Sequence, residues 1–199
     1  LAWKESAALF GLNLTFRQLK LLRGRRRIDC ANELVKMISM DVRTEELLAL
    51  HKPISRKLIL TAQAMPGGES LVKRCHKENI PMALVTSSSH ESVEIKTAPH
   101  KWMNLFSIRV LGDDKLLKKG KPAPDPYLLA AKKLNIAPKE CWAVEDSISG
   151  VSSALEAGCF VFFLKEKSDA QPKKEFFEQS KNLNEINHLK EIEKILSDY

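Results

Sequence analysis

Two textures of apolar spacing divide the chain. Over the first sixty residues the apolar positions recur at helical spacing. Trp3 to Phe10 has this period and stops at Gly11, a residue suited to the position just past a helix end. Thr15 can cap a second short helix that ends near Gly24. Asp29 can cap a third, in which Ala31, Leu34, Val35 and Ile38 form the i, i+3, i+4, i+7 stripe of an amphipathic helix. Thr44, ahead of Glu45, Glu46 and Leu47, is another start signal. Pro53 is expected to break this stretch, and a further helix to run through Lys57 to Ala64.

The texture changes at Met65-Pro66-Gly67-Gly68, a turn cluster and the predicted boundary between a helical unit (residues 1–64) and a second unit (residues 65–199). Beyond it, short apolar runs read as buried strands: Pro81 to Val85, Ser107 to Leu111, Cys141 to Val144 and Cys159 to Leu164. Helical patterns lie between most of them, over Glu69 to Glu78, Pro126 to Leu134 and Ile148 to Ala157. Asp125-Pro126 reads as a helix start, with Asp as cap and Pro at the first helical position. Alternation of this kind predicts an α/β fold with a parallel sheet. Lys173 to Tyr199 is charged and amphipathic, and Ile192, Ile195 and Leu196 predict a last helix.

Composition agrees with a folded chain: of 199 residues, 44% are apolar and 29% charged. Cys30, Cys75, Cys141 and Cys159 form no CxxC pair and read as core thiols of a reducing compartment. The five histidines show no ligand spacing. No apolar run reaches the roughly 18 residues that a membrane span needs, and no signal-peptide pattern is visible. A cytoplasmic monomer without a membrane partner is expected. The chain begins with Leu1 rather than Met, as if inside a longer reading frame or after processing. The net charge of +7 is uneven: residues 1–60 hold 12 Lys/Arg against 6 Asp/Glu, and residues 61–199 hold 20 against 19. The excess centres on Arg23, Arg25, Arg26 and Arg27, which points to an anionic partner; the alternative is a solvated helix end.

Ligands of open parallel sheets bind at the carboxyl ends of the strands. After Val85 come Thr86, Ser87, Ser88 and Ser89, and after Val144 come Glu145, Asp146 and Ser147. Between them lies Lys119-Gly120-Lys121-Pro122-Ala123-Pro124-Asp125. Hydroxyls and backbone N–H groups ahead of a helix suit phosphate oxygens. Adjacent carboxylates at a strand tip suit Mg²⁺. A lysine near both can neutralise charge on a transferring phosphoryl group. Taken singly, a hydroxyl run is more often a helix cap and a Glu-Asp pair a solvated loop, so their order carries the signal.

That order, in the wording LVTSSS, GKPAPDPYLLAAKKLNI and CWAVEDSISGVSSALEAG, resembles the second, third and fourth motifs of the haloacid dehalogenase superfamily. The likeness is strong over residues 65–165. It extends more loosely to AWKESAALFGL and LLRGRRRIDCANEL, which are similar to the helical cap of the beta-phosphoglucomutase subgroup. The resemblance implies a Rossmannoid parallel-sheet core with a small helical cap domain, a small phosphorylated metabolite as partner, and Mg²⁺ as cofactor. It implies that Thr86 is the phosphate-binding hydroxyl, that Ser87, Ser88 and Ser89 line its loop, and that Lys121 bridges the phosphoryl group and the nucleophile. Glu145 and Asp146 would hold Mg²⁺. Gly24 and Arg27 fall where the subgroup has a Gly-x-x-Arg loop that contacts a distal phosphate, and Lys57 is matched to a second substrate-contacting cap residue.

One departure is large. The family's first motif, Asp-x-Asp-Gly, carries the nucleophile that forms an aspartyl-phosphate and the general acid/base, and no such sequence occurs here. Asp113-Asp114 lacks the pattern and stands in the wrong order. The expectation is that about twenty residues bearing the first, central strand are absent from the N-terminus. Its neighbours would then lack a ladder partner, and the fragment would be unstable and inactive. For the complete chain the expected class is a phosphatase of small phosphorylated metabolites such as sugar phosphates, with a sugar phosphomutase of beta-phosphoglucomutase type as the alternative. A remote alternative is a non-catalytic polyanion-binding protein. Nucleic acid is not the expected partner, because the basic cluster has no interleaved aromatics to stack on bases.

Overall fold

The computed structural model describes residues 1–165 and 180–197. Four helices come first: α1 (Ala2–Ala8), α2 (Phe16–Leu22), α3 (Arg27–Val35) and α4 (Thr44–Ile59). They bury one apolar cluster of their own, with Ala7, Leu22, Cys30, Ala31, Leu34 and Leu47 at its centre. The stripe on α3 explains this packing, since its Ala31 and Leu34 have no exposed surface. Thr15 caps α2 in a capping box with Gln18, as the polar residues around it predict.

Three sequence expectations about these helices change. α3 starts at Arg27 with Arg26 as its cap residue, so Asp29 lies in the first turn, where its charge favours the helix N-terminus, and pairs with Arg26 at 2.7 Å. Pro53 does not break the fourth helix, which runs unbroken from Thr44 to Ile59. Pro53 sits on the exposed side, where water can meet the carbonyl that it leaves without an N–H partner. The separate helix expected over Lys57 to Ala64 is therefore the last turn of α4 followed by turn and coil.

The second unit alternates as the apolar runs predict. Its elements are α5 (Gly68–Lys77), β1 (Ala83–Val85), α6 (His90–Thr97), β2 (Ile108–Val110), α7 (Asp125–Leu134), β3 (Trp142–Glu145), α8 (Ile148–Glu156), β4 (Phe160–Leu164), β5 (Leu183–Ile186) and α9 (Lys190–Ser197). Short 3₁₀ turns occupy Lys101–Leu105 and Pro138–Glu140. α7 includes Asp125, with Pro124 rather than Asp125 at the cap position. The tail expected over Lys173 to Tyr199 holds a strand, β5, as well as its helix; residues 173–179, 198 and 199 lie outside the described residues.

All described strand pairs are parallel. β1 pairs with β2, and β3, β4 and β5 pair in that order. Side chains of the β3–β5 sheet alternate between two cores. Ala143, Val161 and Phe163 face Val151 and Ala154 of α8, while Phe162, Leu164 and Ile186 face Leu71 of α5 and Ile192 of α9. Val85 of β1 packs against the first of these clusters, so β1 lies on the β3 side of the sheet. Among the described residues β1 has a ladder only with β2, and β3 only with β4. Trp142 and Val144 of β3 keep 40% and 43% of their surface exposed, on the strand at the edge of the described sheet.

Candidate active site

The carboxyl ends of β1 and β3 open on one cavity of about 450 Å³, and the α2–α3 loop and α4 form its other wall. Backbone contacts hold the first loop to the neighbouring strand. Thr86 N–H donates to Val110 O at 3.0 Å, and Gly112 N–H donates to Ser88 O at 2.8 Å. A Cβ at Gly112 would run into the Ser87 carbonyl, so only glycine allows β2's end to approach this loop so closely. Thr86 Oγ1 accepts from Ser88 N–H at 3.2 Å, which leaves its own proton to donate.

The centre of the site is a buried ion pair. Lys121 and Glu145 are 5% and 7% exposed, and Lys121 Nζ donates to Glu145 Oε1. Tyr127 on α7 donates its hydroxyl to the same oxygen, and Lys121 Nζ lies 5.1 Å from the Tyr127 ring centre. Burial, then the Glu145 charge and the hydrogen bond to it, push the Tyr127 phenol well above its ordinary range, so it stays a donor. Lys121 Nζ also donates to Val85 O at 3.1 Å and so spans the tips of β1 and β3. An ammonium has three donors, so one is left for a ligand oxygen. Ser147 caps α8 by accepting from Gly150 N–H at 3.1 Å, and its hydroxyl donates to Glu145 Oε2 at 3.4 Å.

The two candidate metal carboxylates stand differently. Glu145 is buried and occupied by Lys121, Tyr127 and Ser147. Asp146 is open, and its side chain is 48% exposed. Among the described residues no three His, Cys, Asp or Glu side chains gather into a metal cluster. A Mg²⁺ ion held by one or two carboxylates and completed by water and phosphate oxygens would meet Asp146 beside its present partner Arg23, and Glu145 only if Lys121, Tyr127 and Ser147 yield.

The basic cluster turns inward rather than to solvent. Arg23 pairs with Asp146 at 2.8 Å, and Arg26 with Asp29 at 2.7 Å. Arg27 donates to Ser89 Oγ, and Ser87 Oγ donates to Gly24 O at 2.6 Å. Gly24 is at φ +79°, and a Cβ there would run into the Ser147 hydroxyl. The structure thus brings together Thr86, Ser87, Ser88, Ser89, Lys121, Glu145, Asp146, Gly24 and Arg27. It does not bring in Lys57, which is exposed on the outer side of α4.

Four wall residues escape a reading of the sequence. Lys96 donates to Ser88 Oγ at 3.2 Å, and burial, then Arg27, lower its pKa. His51, Ser55 and Ile59, spaced four apart, are the α4 face that lines the cavity. The His51 ring stacks on Trp3 with centres 3.7 Å apart, and its Nδ1 is buried without a hydrogen-bond partner among the described residues. Burial first, then Arg27, lower the His51 pKa from 6.5 to about 4. Only the helical phase of α4, read without a break at Pro53, could have pointed to His51, Ser55 and Ile59; nothing local marks Lys96.

Residues 5–158 match the model of a hydrolase family, the haloacid dehalogenase-like hydrolases. The chain is 42% identical over 106 residues to hexitol phosphatase A of Escherichia coli (strain K12), a match covering 53% of this chain and 48% of that protein. It is 36% identical over 143 residues to (DL)-glycerol-3-phosphatase 2 of Arabidopsis thaliana, covering 68% of this chain and 59% of that one. The chain thus spans about half of the length of these relatives. Its fold is similar to that of a beta-phosphoglucomutase from Clostridium difficile, with TM-score 0.78 and 20% identity over 100% of this chain and 89% of the other. It is also similar to a HAD hydrolase, family IA, variant 3, from Entamoeba histolytica, with TM-score 0.74 and 28% identity over 98% and 89%.

Two stability predictions follow from the site. Glu145→Gln leaves the Lys121 charge buried without its counter-ion and should cost about 3–5 kcal/mol, read as a lower midpoint of chemical denaturation. An unchanged midpoint would mean that the pair is not buried. For His51 the folded pKa is depressed, so between pH 6.5 and about 4 the unfolded chain binds a proton that the folded chain refuses. Its contribution is therefore fully present above pH 6.5 and lost as pH falls towards 4. Melting temperature should drop over that window, and less steeply in His51→Gln.

Proposed function

The chain belongs to the haloacid dehalogenase-like hydrolase family, and on that premise we propose that it serves as a Mg²⁺-dependent phosphatase acting on a small phosphorylated metabolite such as a sugar phosphate. The observation that carries this reading is the charge balance of the cavity. Arg25, Arg27, Lys96 and Lys121 line it, together with only Glu145 and Asp146 as acids, and Glu145 is already matched by Lys121. Cations in excess, half-enclosed and joined by the hydroxyls of Thr86, Ser87 and Ser88, favour a phosphate monoester.

Each group then has a task. The free proton of Thr86 and the third donor of Lys121 bind phosphoryl oxygens, and both are held in place before the ligand arrives. Mg²⁺ at Asp146 would neutralise charge on the phosphoryl group in transfer. Arg27 and the neutral His51–Trp3 stack face the rest of the substrate from the cap side. Its similarity to a hexitol phosphatase and a glycerol-3-phosphatase favours polyol and sugar phosphates.

A covalent phosphatase of this type needs a carboxylate nucleophile. We place it on a strand between β1 and β3, in parallel with both. Their unpaired edges among the described residues, the exposed Val144, and the reach of Lys121 to both tips support that position. Such a strand would end beside the ammonium and carry an Asp-x-Asp sequence whose first Asp takes the phosphoryl group. A sugar phosphomutase is the second reading, favoured by Arg27 in the cavity wall, where a distal phosphate could be held.

The test is phosphate release from a panel of sugar, polyol and nucleoside monophosphates, by the 199-residue chain alone and by the chain preceded by an Asp-x-Asp strand. The expected result is Mg²⁺-dependent release by the extended chain only, falling about 10²–10³-fold in Lys121→Met. Isomerisation of a sugar 1-phosphate, primed by a bisphosphate and without phosphate release, would select the mutase. Turnover that is indifferent to Lys121 would contradict both.

A further inference from the structure

The cations of the cavity are unevenly answered. Lys121 has Glu145 as its counter-ion, and Arg23 has Asp146. Two others that line the cavity, Arg27 at the start of α3 and Lys96 near the end of α6, have no carboxylate within ion-pair distance among the described residues. The acids whose charge reaches them are already engaged, Asp146 with Arg23 and Glu91 with Lys52 and Arg56. Each cation instead donates to a neutral hydroxyl, Arg27 to Ser89 Oγ and Lys96 to Ser88 Oγ at 3.2 Å, on successive residues of one loop. The charge of Arg27 acts on both Lys96 and His51, so the three side chains stand around one part of the cavity, and His51 is held neutral there.

Two like charges that face one half-enclosed space repel, and an anion between them relieves both. An ammonium has three donors and a guanidinium five, and each has spent one on a serine, so both have donors left for an oxyanion. Lys121 stands elsewhere on the loop, at Val85 O, with its charge matched by Glu145. The unmatched charge therefore lies to the side of the phosphoryl position defined by Thr86 and Lys121. We propose that Lys96 is a substrate-binding residue that, with Arg27, clamps a second anionic group of the substrate, a carboxylate or a phosphate at the end away from the phosphoryl group in transfer. The substrate class narrows to sugar and polyol phosphates that carry a further acidic group, such as phosphorylated sugar acids. The inference rests on the reading of the cavity as a phosphate-ester site with Lys121 at the transferring group.

Binding, measured by calorimetric titration of the 199-residue chain, tests this without any turnover. One ligand pair is sorbitol 6-phosphate and 6-phosphogluconate, in which a carboxylate replaces the far hydroxymethyl group. The other is fructose 6-phosphate and fructose 1,6-bisphosphate, which adds a phosphate there. The wild-type chain should prefer the doubly anionic member of at least one pair by about tenfold. Lys96→Met should lose that preference, and Lys96→Arg, which keeps the charge, should retain it. Ser88→Ala, which removes the hydroxyl that Lys96 touches, should also retain it; a preference lost equally in Ser88→Ala would mean that Lys96 acts only through the loop, and would overturn the clamp. No preference in the wild type, or one that survives Lys96→Met, would overturn it too, while binding of the singly anionic esters that is lost in Lys121→Met would leave the phosphate-ester reading standing. Absence of binding of all four ligands, or binding indifferent to Lys121→Met, would overturn that reading and this inference together.

Discussion

The buried pair of Lys121 and Glu145 is the constraint around which the site is arranged. An isolated ammonium or carboxylate at this depth would be costly, and each is tolerated only because the other is in contact and the remaining donors and acceptors are used. That requirement fixes several elements relative to one another. Lys121 must come from the loop before α7, reach the last carbonyl of β1 and meet the last side chain of β3. Tyr127 must stand one turn into α7 to reach the same carboxylate oxygen, and Ser147 must begin α8 where it can both cap the helix and approach Glu145. Glycine at 150 is part of the same arrangement, because a Cβ there would run into the Glu145 carboxylate. The strand tips and two helix starts are thus tied by one polar cluster.

Around this centre Arg25 and Arg27 add positive charge to that of Lys96 and Lys121. The arginines of the α2–α3 loop are not a solvated patch. Arg23, Arg26 and Arg27 each have a specific partner, and two of those partners belong to the strand-tip loops of the core. The cavity is therefore lined by Arg25 and Arg27 on one side and by Lys96, Lys121 and hydroxyls on the other, with one buried neutral histidine stacked on Trp3 in the α4 wall.

The parts of this arrangement that were legible in the sequence are local ones. Thr86 and Glu145 follow short apolar runs, and the run itself predicts the strand and its tip. The role of Lys121 rests on the resemblance of its surrounding wording to a known motif rather than on any periodicity. The expected break at Pro53 is a strong local rule that the tertiary structure overrides. Pro53 is accommodated on the exposed face of α4, and His51, Ser55 and Ile59 face the cavity; Lys57, matched by resemblance alone, falls about 200° around the helix from Ser55. β5 was hidden because only Leu183 and Ile186 of its four residues are apolar enough to mark it, and its stability comes from the ladder with β4. The contacts of Arg23 with Asp146 and of Lys96 with Ser88 depend on the tertiary fold and leave no trace in spacing.

The central claim is that the tips of β1 and β3, Lys121 and the α2–α3 loop form one phosphate site. The most direct measurement is a titration of the protein with inorganic phosphate, followed residue by residue through backbone amide chemical shifts. The account predicts saturable shifts concentrated at residues 24–27, 86–89 and 120–121, and their loss in Lys121→Met. Shifts confined to other surfaces, or a response at these residues that survives Lys121→Met unchanged, would contradict it.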